Sequence, residues 1–222
     1  MSTFSDPQAV ARYAESPVRQ VPGFHALQRM AMLLLAEAVP PDGHVLVLGA
    51  GGGLELKVFA EAHEGWSFVG VDPSAEMLKL ATATLGPLAS RVELCEGYID
   101  SAPVGPFDGA TCLLTLHFLS ADERLRTLTE LRRRLKPGAP LVVAHHSVPQ
   151  ADDQKVRWLN RYAAFAGVPA ADIRNTVATI GSRLPLLSPE QEVALLQEAG
   201  FDTVELFYAG FTFKGWVAYN PA

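Results

Sequence analysis

A glycine run, one carboxylate and three histidines are the residues of this chain whose types and spacing could do chemistry. Gly49-Ala50-Gly51-Gly52-Gly53 directly follows the apolar stretch Val45–Leu48 and precedes a helix-forming segment. Glycines at such a junction let the backbone turn tightly and bring main-chain N–H groups up to a ligand. A plain strand-to-helix turn seldom needs four of them. Asp72 ends the next apolar stretch, 23 residues after Gly49, where a carboxylate can accept both hydroxyls of a ribose. Taken alone, Asp72 also reads as an acid at a helix N-terminus ahead of Pro73 and Ser74. In this order and spacing, the two signals point to an adenosine-containing ligand. A dinucleotide fingerprint requires another glycine just past Gly53, and Leu54 stands there, so the run reads G-x-G-x-G. A phosphate loop with Lys and Ser/Thr is lacking, so a nucleoside triphosphate is not implied. His117 and the pair His145 and His146 are the candidate proton acceptors.

The elements that must position these groups follow from periodicity. Residues 23–38 carry Phe24, Leu27, Met30, Ala31, Leu34 and Ala38 on one helical face. Short apolar strands are expected at His44–Gly49, Trp66–Asp72, Arg91–Cys95, Asp108–Leu116 and Leu141–Ala144. Between them lie amphipathic helices, one capped by Ser74 and one opened by the capping box Ser120-Ala121-Asp122-Glu123. All-apolar strands alternating with helices mean a parallel sheet covered on both faces, an α/β doubly wound domain. Right-handed crossovers then put every strand-to-helix turn on one edge of the sheet. Residues 151–187 hold two helical stretches and no strand, which reads as an insertion or cap. Ser188 and Pro189 restart a helix that Gly200 ends. Thr203–Tyr208 and Phe211–Tyr219 are expected to close the chain as an antiparallel hairpin linked by Ala209-Gly210.

The chain has 222 residues, 49% of them hydrophobic and 19% charged, with a net charge of −6. That suits one domain over 1–222 with a true core and argues against disorder and general nucleic-acid binding. No apolar run reaches the ~18 residues of a membrane-spanning helix. Met1–Ala11 lacks the basic-then-apolar order of a secretion signal. Cys95 and Cys112 read as small buried hydrophobes of a reducing compartment. A cytoplasmic protein is the expectation, with no membrane or nucleic-acid partner; the oligomeric state is not legible.

VLVLGAGGG at 45–53, VGVDPSAEML at 69–78, PFDGATCLLTLHFL at 106–119, LRRRLKPGAPLVVA at 131–144 and EAGFDTVELFYAGFTF at 198–213 together resemble the class I, Rossmann-like S-adenosylmethionine-dependent methyltransferases. The resemblance implies a mostly parallel seven-stranded sheet ending in an antiparallel hairpin. It implies S-adenosyl-L-methionine as cofactor and S-adenosyl-L-homocysteine as product. By the same resemblance, Gly49, Gly51 and Gly53 pass under the methionine and ribose parts. Asp72 holds the ribose hydroxyls, Tyr98 and Ile99 flank the adenine, and Leu114 and Thr115 sit beside the sulfonium. Ala50, Pro73 and Met77 are carried over as further cofactor contacts. Two positions depart from the family's pattern: Val47 replaces an acid two places before Gly49, and Tyr98 replaces an Asp or Asn that contacts adenine. Arg19-Gln20-Val21-Pro22-Gly23-Phe24 looks like the arm of carboxy-S-adenosylmethionine synthase and its small-molecule methyltransferase relatives, which brings Arg19 and Phe24 to the cofactor. That synthase places an Arg where Val177 aligns and an Asn where Leu113 aligns. Lacking the natural partner of an extra carboxylate, this chain is read as using ordinary S-adenosylmethionine.

Methyl transfer is an in-line displacement that needs alignment in a dry site, with a base only if the acceptor must lose a proton. His117, after the fourth strand, and His145 are the catalytic candidates. His145 and His146 point to opposite faces, so at most one faces the cleft. Trp158, Tyr162 and Phe165 form a stripe in the insertion that suits a lid over a small-molecule acceptor. No metal-ligand spacing is present. A dinucleotide-dependent oxidoreductase and a non-catalytic cofactor-binding protein are the alternatives; Leu54 and the hairpin count against the first, while Val47 and Tyr98 motivate the second.

Overall fold

The computed structural model describes residues 16–222. The helical arm expected over 1–40 is therefore seen from Ser16 onward, and its first part lies outside the described residues. Ser16–Gln20 forms a short turn, α1, and Phe24–Ala36 the first long helix, α2. Strand–helix alternation follows: β1 His44–Leu48, α3 Leu54–Ala62, β2 Ser67–Asp72, α4 Ala75–Leu85, β3 Val92–Glu96, β4 Gly109–Leu113, α5 Ala121–Arg133 and β5 Pro140–His146. Next come α6 Asp152–Phe165, α7 Ile173–Arg183, α8 Pro189–Glu198, β6 Asp202–Gly210 and β7 Phe213–Tyr219.

The sheet has seven strands in the order β3-β2-β1-β4-β5-β7-β6. β1 to β5 are parallel, and β7 runs antiparallel between β5 and β6. Alternation along β1 shows why both faces are covered. Val45 and Val47 pack with Phe24, Leu27, Leu35 and Phe59 of α2 and α3. Leu46 and Leu48 pack on the other face with Leu128 and Leu131 of α5 and Leu196 of α8. Each such side chain, removed from water, contributes about 1.5–3 kcal/mol. Helix starts use local caps: Ser74 Oγ accepts from the Met77 N–H at 3.2 Å. Full capping boxes, Ser120 with Glu123 and Ser188 with Gln191, open α5 and α8.

Most strand ends lie within one residue of expectation, and three boundaries shift by two or more. β4 stops at Leu113, not Leu116, because Leu114 turns to φ 58° and leaves the ladder. β5 continues to His146, because its last residues gain partners on β7, His145 opposite Lys214 and His146 opposite Phe213. The hairpin turns at Phe211-Thr212, with Ala209 and Gly210 still paired to Lys214 and Phe213. Residues 151–187 form α6 and α7 around their own small core of Val148, Leu159, Ala163, Val177 and Leu186. Among the described residues, no helix is long and apolar enough to cross a membrane.

Candidate active site

A cavity of about 1110 Å³ opens at the C-terminal ends of β1, β2 and β4. The strand order reverses between β1 and β4, and that switch point leaves a crevice at the carboxyl edge. Gly49, Gly51 and Gly53 have φ of 78°, 50° and 79°, the left-handed region that side chains rarely tolerate. A Cβ on Gly49 would collide with Thr115 Oγ1, so the bend and the turn after β4 close on each other only over a bare backbone. Gly53 serves differently. It is not on the cavity wall, and a Cβ there would meet the Ala81 backbone at 2.9 Å, so its bareness lets α3 approach α4.

Asp72 is held by the loop it faces. One carboxylate oxygen accepts from the Gly51 N–H and the other from the Ser74 N–H, each at 2.9 Å. Burial pushes its carboxyl up, and the two N–H groups pull against that rise. Each oxygen keeps a lone pair for a hydroxyl donor, so the carboxylate is set in advance for a diol. This cradle of bare backbone and fixed carboxylate fits the ribose of a nucleoside.

Phe24, Ala50, Pro73, Met77, Tyr98 and Ile99 also line the cavity. Ile99 is fully packed, whereas Tyr98 is 64% exposed and stands at the mouth. Leu114 and Thr115 form the wall beyond the bend. Arg19 is exposed in α1 and does not line this wall.

Neither proposed histidine lines the wall. His117 is buried, its ring 5.0 Å from that of His146. His146 stacks on Phe213 at 3.9 Å, shares a hydrogen bond with Thr212 at 2.8 Å and has Tyr162 edge-on at 4.9 Å. Burial and the neighbouring imidazoles hold His117 well below its usual range, and burial takes His146 down to about 3. Both rings are neutral near pH 7. His145 lies on the opposite face of β5, where its Nε2 is 3.0 Å from a Glu192 oxygen. Among the described residues, no cluster of three metal-ligating side chains occurs.

Sequence reasoning missed four polar groups of this region. Glu55 and Gln28 line the cavity while being only 7% and 3% exposed. Thr111 donates to Glu55 Oε1 at 2.6 Å, and Arg183 reaches the wall from the end of α7. A signal for Glu55 existed: it shares the buried face of α3 with Leu56, Phe59 and Ala60, where a carboxylate is out of place.

The methyltransferase domain family matches residues 45–138, from β1 to just past α5. The carboxy-S-adenosyl-L-methionine synthase of Chromohalobacter salexigens is 27% identical over 225 residues, covering 98% of this chain and 83% of that protein. An O-methyltransferase family protein of Burkholderia thailandensis superposes with a TM-score of 0.71 at 17% identity, over 99% of this chain and 62% of that one. Human N-acetylserotonin methyltransferase, solved with S-adenosylmethionine, gives 0.64 at 15% identity, over 99% and 58%. This chain thus spans about three-fifths of the length of those two structures. The domain match begins at the strand that carries the glycine bend and takes in every strand tip around the cavity, so over residues 45–138 this chain is similar to a methyltransferase domain, and the solved neighbours share its fold.

Proposed function

We propose that the enzyme transfers a methyl group from S-adenosyl-L-methionine to a small molecule held in the same cavity, beneath a cover made by residues 151–187 and the N-terminal arm. The carrying observation is capacity. At about 1110 Å³, the cavity stands at the upper end of the roughly 300–1,000 Å³ typical of clefts that bury a ligand, as a site for a cofactor with a small acceptor beside it would. Leu113 and Leu114 give the wall an apolar stretch beside which the second reactant would sit, and Phe118 stands half exposed at its edge. When bound, the cofactor supplies a methyl group on a positively charged sulfur, with a neutral thioether as leaving group. The chain's contribution is alignment. Asp72 and the glycine bend grip the nucleoside, and the left-handed Leu114 turns the wall toward the reacting end. His117 adjoins that wall through Phe118 and is kept as the candidate base, whereas His145 faces Glu192. A cytoplasmic site of action accords with the unbonded Cys95 and Cys112.

Asp72→Ala is expected to weaken S-adenosylhomocysteine binding by about 1–3 kcal/mol, the worth of hydrogen bonds to a charged group. Calorimetry on the folded variant checks this, and unchanged affinity would remove the ribose assignment. Methyl-labelled cofactor offered with a metabolite extract tests the acceptor class. Label appearing only in protein or RNA would overturn the small-molecule reading.

One observation favours a second reading, in which the cofactor carries an added carboxylate as in the synthase relatives' product. Val177 is packed in the small core of the insertion, but Arg183 on the same helix lines the cavity and has no ion-pair partner among the described residues. The mass of the nucleoside that co-purifies with the protein separates the two readings.

A further inference from the structure

Glu55 is a buried carboxylate with no cation beside it among the described residues. It sits in the first turn of α3, tethered through Thr111 over β4 and opening on the cavity. Gln28 enters the same cavity from α2, 3% exposed, and its side chain has no hydrogen-bond partner among the described residues. A buried carboxyl that can ionise and a buried amide, neither facing a cation among the described residues, line one cavity and match a ligand that brings both a positive and a negative group. Their place in the sheet says which part of the ligand that is. Asp72 ends β2, the glycine bend ends β1, and Thr111 lies on β4, the next strand over. Two strand spacings separate the ribose position from Glu55, about 10 Å, which the few bonds of a short aliphatic tail can cross.

We infer that Glu55 receives the α-ammonium group of the cofactor's amino-acid tail, with Gln28 beside it for the carboxylate, and that Glu55 releases a proton to solvent as the tail enters. This rests on the cofactor reading of the cavity. With no ligand, burial raises the Glu55 carboxyl to about 8 against the opposing pull of Thr111, so near neutrality it holds a proton. An ammonium placed against it favours the ionised form, and the proton passes to the buffer. Tail affinity therefore increases with pH up to about 8, by up to about tenfold per pH unit. Above that the ligand's own amine begins to lose its charge.

The groups facing Glu55 leave this coupling intact. From β4 comes the Thr111 hydroxyl and, on the opposite strand face, the Cys112 thiol, which burial and Glu55 itself push far up. From β1 comes the apolar Val47, opposite Thr111, and from α2 the neutral Gln28. Across the cavity stand Asp72, Glu123, Arg126 and Arg183, of which Arg126 is paired with Asp100 at 2.8 Å.

Titration calorimetry in buffers of differing ionisation enthalpy tests the inference, with S-adenosylhomocysteine and with 5′-methylthioadenosine, which has the nucleoside but no amino-acid tail. With the wild type near pH 7, S-adenosylhomocysteine should release close to one proton more than methylthioadenosine does. In Glu55→Gln that difference should vanish, and S-adenosylhomocysteine affinity at about pH 8 should fall roughly 10- to 100-fold. Methylthioadenosine should bind both proteins alike. Thr111→Val, which leaves the carboxylate in place, should keep the extra proton release. Release that persists in Glu55→Gln, or an equal loss for both nucleosides, overturns the inference while leaving the cofactor assignment standing. Failure of both nucleosides to bind the wild type overturns the cofactor reading itself.

Discussion

Glu192→Ala is expected to lower the unfolding free energy by about 3–5 kcal/mol, the loss typical when a buried ion pair is left with one member. Glu192 and Arg124 have side chains 2% and 0% exposed and are joined by a direct ion pair between α8 and α5. Arg124 also donates to the carbonyls of Leu119 and Pro185 at 3.2 and 3.1 Å, so it cannot swing out to water without breaking the packing of both loops. The second Glu192 oxygen faces His145 on β5. Truncating the carboxylate strands a guanidinium in a place water does not reach. Glu192→Gln, which keeps a hydrogen-bond acceptor, should lose less. Burial pushes Glu192 up, but His145 and Arg124 outweigh it and hold the group below its ordinary 4.5. A folded value below the unfolded one means the stabilisation is complete above about pH 4.5 and disappears as pH falls through the folded value. Urea unfolding near pH 7 and again near pH 3 should show the wild type and the variant converging in acid. A loss under about 1 kcal/mol near neutrality would mean that the pair behaves as an exposed one. Because this triad lies behind the sheet, S-adenosylhomocysteine affinity should not change.

The triad also marks where the sequence stops being legible. Strand–helix alternation, the capping boxes at Ser120 and Ser188 and the glycine bend are written in local spacing, and the sheet follows from them with few alternatives. What local spacing cannot report is which face a side chain meets after distant elements pack. His145 and His146 are adjacent in sequence, so their divergence was certain, but which one met Glu192 depended on where α8 docks. Boundaries failed for the same reason. β5 runs on through both histidines only because β7, far along the chain, supplies partners for them. Leu114 looks like the continuation of an apolar strand, and only the neighbouring bend at Gly49 explains why the wall must turn there. Glu55 is the instructive omission. A glycine run draws attention to backbone, whereas the acid two places later sits on a helix face that is otherwise apolar, and that mismatch of type and position is readable.

Gly49→Ala is expected to remove about 2–5 kcal/mol of stability and to reduce S-adenosylhomocysteine affinity at least about tenfold. Two effects add. At φ 78° an L-residue is strained by about 1–2 kcal/mol, and the new methyl lands on the Thr115 side chain, an overpacking that costs about 1–3 kcal/mol. Thr115 cannot yield freely, since its hydroxyl donates to the Leu113 carbonyl at 3.0 Å and it lines the cavity next to Leu114. Whatever moves therefore moves the wall of the binding site. Adding Thr115→Gly should return the packing part and leave the strain. Gly53→Ala provides the contrast: its φ is 79°, but its methyl would press on Ala81 behind the loop. That variant should lose comparable stability and, per folded molecule, keep its ligand affinity. Melting curves and calorimetry on the three variants separate a bend needed for folding from a bend needed for the ligand. Equal affinity losses at Gly49 and Gly53 would show that the loop transmits strain as one unit and that closeness to Thr115 has no separate role.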